Sequence, residues 1–172
     1  MTELRIWTAR HTVRVAAPPK RVFQLVAHID RWPQLFDSLV AVERLGYDGA
    51  SERVRFWKKV DGELCSWSSA RELNPKRLRV RFRQVDFPKP LASMGGLWLV
   101  VPKGNDSVIA LDHYYRVHGD NPVAASRVER DLAVNSTAML ESLRQTAEFD
   151  GGMADLLESY SDRVTAEGES SL

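Results

Sequence analysis

The 172-residue chain predicts an α+β fold, in which a curved antiparallel β-sheet of about seven strands wraps around a long C-terminal α-helix, with two short helices after the first strand. Two observations carry this expectation. From Leu39 to Val117 short alternating segments follow one another, broken by tight turn signals, and tight turns join antiparallel neighbours. From Asn121-Pro122 the apolar period becomes helical and runs to about Phe149,.

The elements follow in order. His11 to Val15 alternates as a first strand, with Val13 and Val15 on one side. Pro18-Pro19 opens a helix, where proline is tolerated, and Val22, Leu25, Val26 and Ile29 give it an apolar face. Asp30-Arg31-Trp32-Pro33 ends that helix, and Pro33 to Phe36 makes a short second turn. Strands are expected over 39–45, 52–60, 63–73, 77–85, 91–101 and 108–117. On the strand from Arg77 to Arg83, Leu78, Val80 and Phe82 share one face and four arginines the other, so the sheet has a dry side and a wet side,. The four arginines read as a solvated outer face, or as a dock for an acidic partner. Leu132, Ser136, Met139, Leu140 and Leu143 line the inner face of the long helix, which Gly151-Gly152 is expected to stop. One domain over residues 1–150 follows, with 151–172 an extension that is partly helical or disordered.

Composition excludes several classes. A formal net charge of +1 gives no argument for nucleic acid or a membrane surface. The single cysteine, Cys65, rules out an intrachain disulfide and suits a reducing cytoplasm,. No signal peptide opens the chain, and no stretch is long enough to span a bilayer. His11, His28, His113 and His118 lack metal-ligand spacing,. Phosphate loops, dinucleotide fingerprints and nucleophile elbows are missing, so a cofactor-free pocket is expected.

The strand from Cys65 to Leu73 is the most informative segment. Cys65, Trp67, Ser69, Arg71 and Leu73 share a face,, a core-type row interrupted by a hydroxyl and a guanidinium. Burying Arg71 unpaired would cost on the order of several kcal/mol. Either the row faces a solvated cavity whose ligand presents anionic or carbonyl oxygens, or a carboxylate such as Glu43 or Glu63 holds Arg71. His113 and the tryptophans also have two readings: a hydrogen-bonded core histidine or an acid–base group, and packing or ligand wall.

Four motifs bear on this choice. Arg31-Trp32-Pro33-Gln34-Leu35-Phe36, Trp67-Ser68-Ser69-Ala70-Arg71, Arg81-Phe82-Arg83-Gln84 and Met94-Gly95-Gly96-Leu97-Trp98 occur in this order. In content and spacing the chain, from about Thr12 to Leu143, resembles bacterial type II polyketide aromatase/cyclases of the START-like helix-grip (Bet v 1-like) superfamily, either single halves of the two-domain forms or single-domain members. The resemblance implies that Arg71 meets the carbonyl or enolate oxygens of a poly-β-ketone, with Trp67 and Ser69 on the same wall. Trp32, Phe36, Met94 and Trp98 match residues at or near the cavity, and His113 a histidine present in some members. Leu39 stands where one subgroup has tyrosine, and Met139 where members carry aspartate or asparagine. Mechanisms needing those polar groups do not transfer.

The implied chemistry is aldol cyclisation and dehydration of a carrier-bound poly-β-ketone without a cofactor, the carrier being the acyl carrier protein of a type II polyketide synthase. Enolate and attacked carbonyl both develop negative charge on oxygen, and one fixed donor for such charge is worth about 3–4 kcal/mol. Arg71 is the candidate cation and His113 the proton-transfer group, with Ser69 holding a water or a carbonyl. Trp32, Phe36, Trp67, Met94, Trp98 and Met139 are the expected substrate wall. Removing Arg71 is expected to leave the fold intact. The alternative from another class is a non-catalytic carrier of a lipid, quinone or aromatic compound.

Overall fold

A computed structural model describes residues 3–170, with side chains throughout 3–150. Seven antiparallel strands form one sheet: β1 (Trp7–Val15), β2 (Leu39–Asp48), β3 (Ser51–Val60), β4 (Glu63–Asn74), β5 (Arg79–Gln84), β6 (Leu91–Lys103) and β7 (Asp106–Val117). Their spatial order is β1-β7-β6-β5-β4-β3-β2. Only β1 leaves sequence order, returning beside β7. Between β1 and β2 lie α1 (Pro19–Ala27), a 3-10 turn (Ile29–Arg31) and α2 (Trp32–Leu35). The long helix α3 (Pro122–Ser170) packs mainly against β1 and touches α1 and β7. The expected wrap of sheet around helix is the observed one.

Local chemistry explains the boundaries. Pro19 occupies the first turn of α1, where its missing N–H costs nothing,. The Asn121 side chain caps α3, accepting from the amides of Val123 and Ala124,. Arg77 and Leu78 belong to the β4–β5 turn rather than to β5. There the Asn74 carboxamide accepts from the Arg77 amide, and Leu78 takes a positive φ of 54°. The glycine pair Gly151-Gly152 does not stop α3, which runs on as one helix to Ser170. Glycine in a helix interior costs about 1 kcal/mol relative to alanine, too little to break a helix with support on both sides. The region 153–164 therefore continues α3. Residues 167–170 lie in it as well, while Ser171 and Leu172 lie outside the described residues.

The concave face of the sheet holds two apolar clusters. The larger gathers Val22, Val26, Trp32, Phe56, Val80, Trp98, Leu111 and Leu143; the smaller gathers Met94, Tyr115, Val117, Ala125 and Val128. Between them runs one cross-strand row, Ala9–His113–Gly96–Phe82–Arg71–Glu52, each residue facing the next across a strand pair. On α3 the buried Ser136 falls between Leu132, packed on the smaller cluster, and Leu140 of the larger. On β6 and β7 this row separates Met94 and Tyr115 from Trp98 and Leu111, while at its β3–β4 end the larger cluster lies on both sides of Arg71.

Gly96 is what lets this row close. A Cβ there would stand 2.0 Å from the Asp112 carbonyl oxygen and 2.5 Å from the Phe82 ring. Phe82 lies over the bare backbone and meets His113 edge-on, ring centroids 5.6 Å apart. We expect Gly96→Ala to destabilise the fold by about 3 kcal/mol or more in urea denaturation. Gly49→Ala should cost less, because a Cβ there meets nothing within 4 Å and only the positive φ of 59° opposes it.

Candidate functional site

Arg71 sits at one end of the polar row, on β4, with 2% of its surface exposed. Its Nη1 donates to the Glu52 carboxylate and to the Ala27 carbonyl (3.2 Å), and its Nη2 donates to the Val26 carbonyl (2.6 Å). The last carbonyls of a helix have no partner within it. Arg71 fills two of those on α1, and the Trp32 indole N–H fills a third by donating to Leu25 (2.9 Å). A cation at this end also meets the negative end of the helix dipole. The guanidinium lies 5.1 Å from the centre of the Trp32 ring, within cation–π range,.

This corrects three expectations. The carboxylate that holds Arg71 is Glu52, opposite it on β3, and neither Glu43 nor Glu63. Sequence reading treated Glu52 only as the start of a strand; its signal was the pairing register, which a single chain does not print. Both terminal nitrogens of Arg71 meet protein atoms rather than a solvated cavity. Loss of the side chain would strand a buried carboxylate and three-dimensional support for α1, so an intact fold without Arg71 is not expected. Burial pulls its pKa down to about 10 against the opposing pull of Glu52, which leaves it charged at neutral pH. Glu52 also accepts from the Nε of the half-exposed Arg44 at 3.0 Å.

His113, on β7, occupies the other half of the row. Its Nδ1 has no hydrogen-bond partner among the described residues. Burial first, and then the nearby His11, lower its pKa to about 4 against the opposing pull of Asp112. The ring is therefore a neutral base at physiological pH, not a group poised between two states as its unperturbed value suggested. Ser69 is 3% exposed and donates to the Arg83 carbonyl at 3.3 Å.

The aromatic residues form a contiguous group. Trp32 stacks on Phe56 (5.5 Å), Phe56 on Trp67 (5.4 Å), and the edges of Phe36 (5.2 Å) and Trp98 (6.0 Å) meet Trp32. Phe56, absent from the sequence-based candidates, sits at the centre. Met139 packs on the same cluster from α3, whereas Met94 belongs to the smaller cluster beyond the polar row. Leu39 is buried in the larger cluster. Cys65 shares the strand parity but is exposed at the strand end. Among the described residues no group of histidine, cysteine and carboxylate side chains could hold a metal ion, and no helix is long and apolar enough to cross a membrane.

Two measurements test these assignments. Glu52→Gln and Arg71→Met should each destabilise the protein by about 3–5 kcal/mol in urea denaturation, with the double variant regaining part of the loss, because each single change strands a buried charge. For His113, the folded-state pKa lies below the unfolded value of about 6.5. The unfolded chain then binds more protons between these limits, so stability is full above about pH 6.5 and falls as pH drops towards 4,. A wild-type protein should lose up to about 3 kcal/mol over that window relative to His113→Gln.

Known proteins place this geometry in a family. Residues 7–148 match the family described as polyketide cyclase / dehydrase and lipid transport. The chain is 38% identical over 161 residues to the granaticin polyketide synthase bifunctional cyclase/dehydratase of Streptomyces violaceoruber, covering 93% of this chain and 50% of that one. It thus spans about half the length of that curated relative. The Zhui aromatase/cyclase from Streptomyces sp. R1128 superposes with a TM-score of 0.76 at 25% identity, over 84% of this chain and 94% of that one. A START superfamily protein from Mycobacterium smegmatis shares the fold, with a TM-score of 0.70 at 16% identity over 82% and 97% of the two chains. With a matched segment running from the first strand into the last helix, the chain belongs to the polyketide cyclase / dehydrase and lipid transport family.

Proposed function

We propose that this chain is a cofactor-independent polyketide aromatase/cyclase domain, residues 1–150 carrying the activity and 151–170 extending its last helix. It binds a poly-β-ketone delivered by the acyl carrier protein of a type II polyketide synthase, in the cytoplasm, and directs ring closure and loss of water. The observation that carries the reading is the neutral, unpartnered imidazole of His113 in the same concave row as the Arg71 cation. A methylene flanked by two ketones needs only a modest base once its enolate oxygen meets positive charge.

The roles divide accordingly. His113 takes the methylene proton. Arg71 supplies a fixed positive field and holds α1 and Trp32 in position, its terminal nitrogens being occupied by Glu52, Val26 and Ala27. Ser69 is a secondary hydrogen-bonding group. Trp32, Phe36, Trp67, Met94, Trp98 and Met139 supply a flat apolar wall that keeps the reactive chain in one curl. A passive binding module for a lipid, quinone or aromatic compound is the second reading, and the saturation of Arg71 by protein atoms favours it.

Reconstitution with a minimal polyketide synthase separates the two. Wild-type protein should shift the products towards one aromatised ring pattern, and His113→Asn should cut that product about 100-fold while the protein stays folded. A product profile identical to that of the synthase alone would leave the binding module standing.

A further inference from the structure

We propose that His11 is a second proton-transfer residue, forming with His113 an imidazole pair that takes a proton from the substrate carbon and delivers it to the departing hydroxyl. This rests on the aromatase/cyclase reading and assigns its dehydration step.

The pair is built by register. Ala9 stands opposite His113 and His11 opposite Leu111, so His11 is the diagonal same-face neighbour of His113. Diagonal neighbours lie about 7–8 Å apart, within reach of aromatic side chains. Among the described residues four buried side-chain nitrogens lack a partner. Three of them, Trp7 Nε1, His11 Nδ1 and His113 Nδ1, belong to this β1–β7 wall, and Trp7 faces Tyr115. Native interiors leave few such atoms unpaired, and a cluster on one concave wall is the mark of a polar ligand. His11 is also among the groups that lower the pKa of His113. The charged groups nearby are Asp112, clamped by Arg10 (2.7 Å), and Glu129, which acts on Tyr115.

The step balances with one proton. The methylene C–H bond breaks, its electron pair enters the enolate, and His113 takes the proton. The proton passes to His11. The enolate then re-forms its carbonyl and makes the C=C bond while the C–O bond breaks with its pair on oxygen. The departing hydroxide takes the proton from His11 and leaves as water. One imidazole would have to swing between two atoms of the substrate; two placed diagonally across neighbouring strands need not.

The test is His11→Asn with a minimal polyketide synthase supplying the poly-β-ketone, scored as the ratio of undehydrated to aromatised ring. An increase of at least 10-fold in that ratio is expected, with total ring closure falling less than the aromatised product, whereas His113→Asn lowers both products alike. In the same variant, nuclear magnetic resonance should find the His113 ring titrating above about 4, since a like charge has gone. An unchanged ratio overturns the proposal, and so does a parallel loss of both products tracking lost thermal stability. Should the asparagine variant fail to fold, His11→Phe, which fills similar volume, carries the same expectation. Wild-type protein that never aromatises would overturn the function itself, and is told apart by the unmutated control.

Discussion

A single buried guanidinium organises one end of this molecule. Arg71 takes the free carbonyls of Val26 and Ala27 at the end of α1, pairs with Glu52 on β3 and lies against the ring of Trp32. Two of these partners alone would be costly to bury: the helix carbonyls without donors and the carboxylate away from water. Together they satisfy one another. The position of α1 over the sheet, and of the aromatic group that Trp32 anchors, is therefore conditional on a charge that remains protonated at neutral pH.

Such an arrangement is not the cheapest way to fill a core. Apolar residues of similar volume in place of a buried ion pair often leave stability unchanged or improved. What the row adds at its β6–β7 end is an interruption between the two apolar clusters, where His113 and Gly96 stand between Met94–Tyr115 and Trp98–Leu111. Ser136 brings the same interruption to α3, where leucine would have continued the stripe.

The strand number, antiparallel order and C-terminal helix were legible because turn residues and period-two alternation are local signals, as in Asp61-Gly62 between β3 and β4. The inward parity of Trp67, Ser69, Arg71, Trp98 and His113 was legible for the same reason. Partnership was not. Glu52 faces Arg71 only because β3 and β4 pair in one register, and a slip of two residues would have offered another side chain,. His11 was invisible as a partner for His113, since β1 returns to the sheet beside a strand almost a hundred residues later. Gly151-Gly152 misled in the opposite way, a local preference overridden by the helix around it.

The row also has a direction. At the Arg71 end two guanidinium groups, Arg71 and Arg44, share the one carboxylate of Glu52, so that end stays positive. At the His113 end the imidazole is neutral at physiological pH, with a free lone pair or N–H at Nδ1. In the proposed reading, a ketone held beside His113 with its oxygen on the Arg71 side would have its developing charge in the more positive part of the field and its acidic carbon at the base. Reversed, the developing oxyanion would sit beside imidazole lone pairs and far from the cation. The aromatic group can fix the plane of a flat substrate but not which way it points along that plane. In the proposed reading the polarity of the row would, through groups whose charge states are separated by burial rather than by pH.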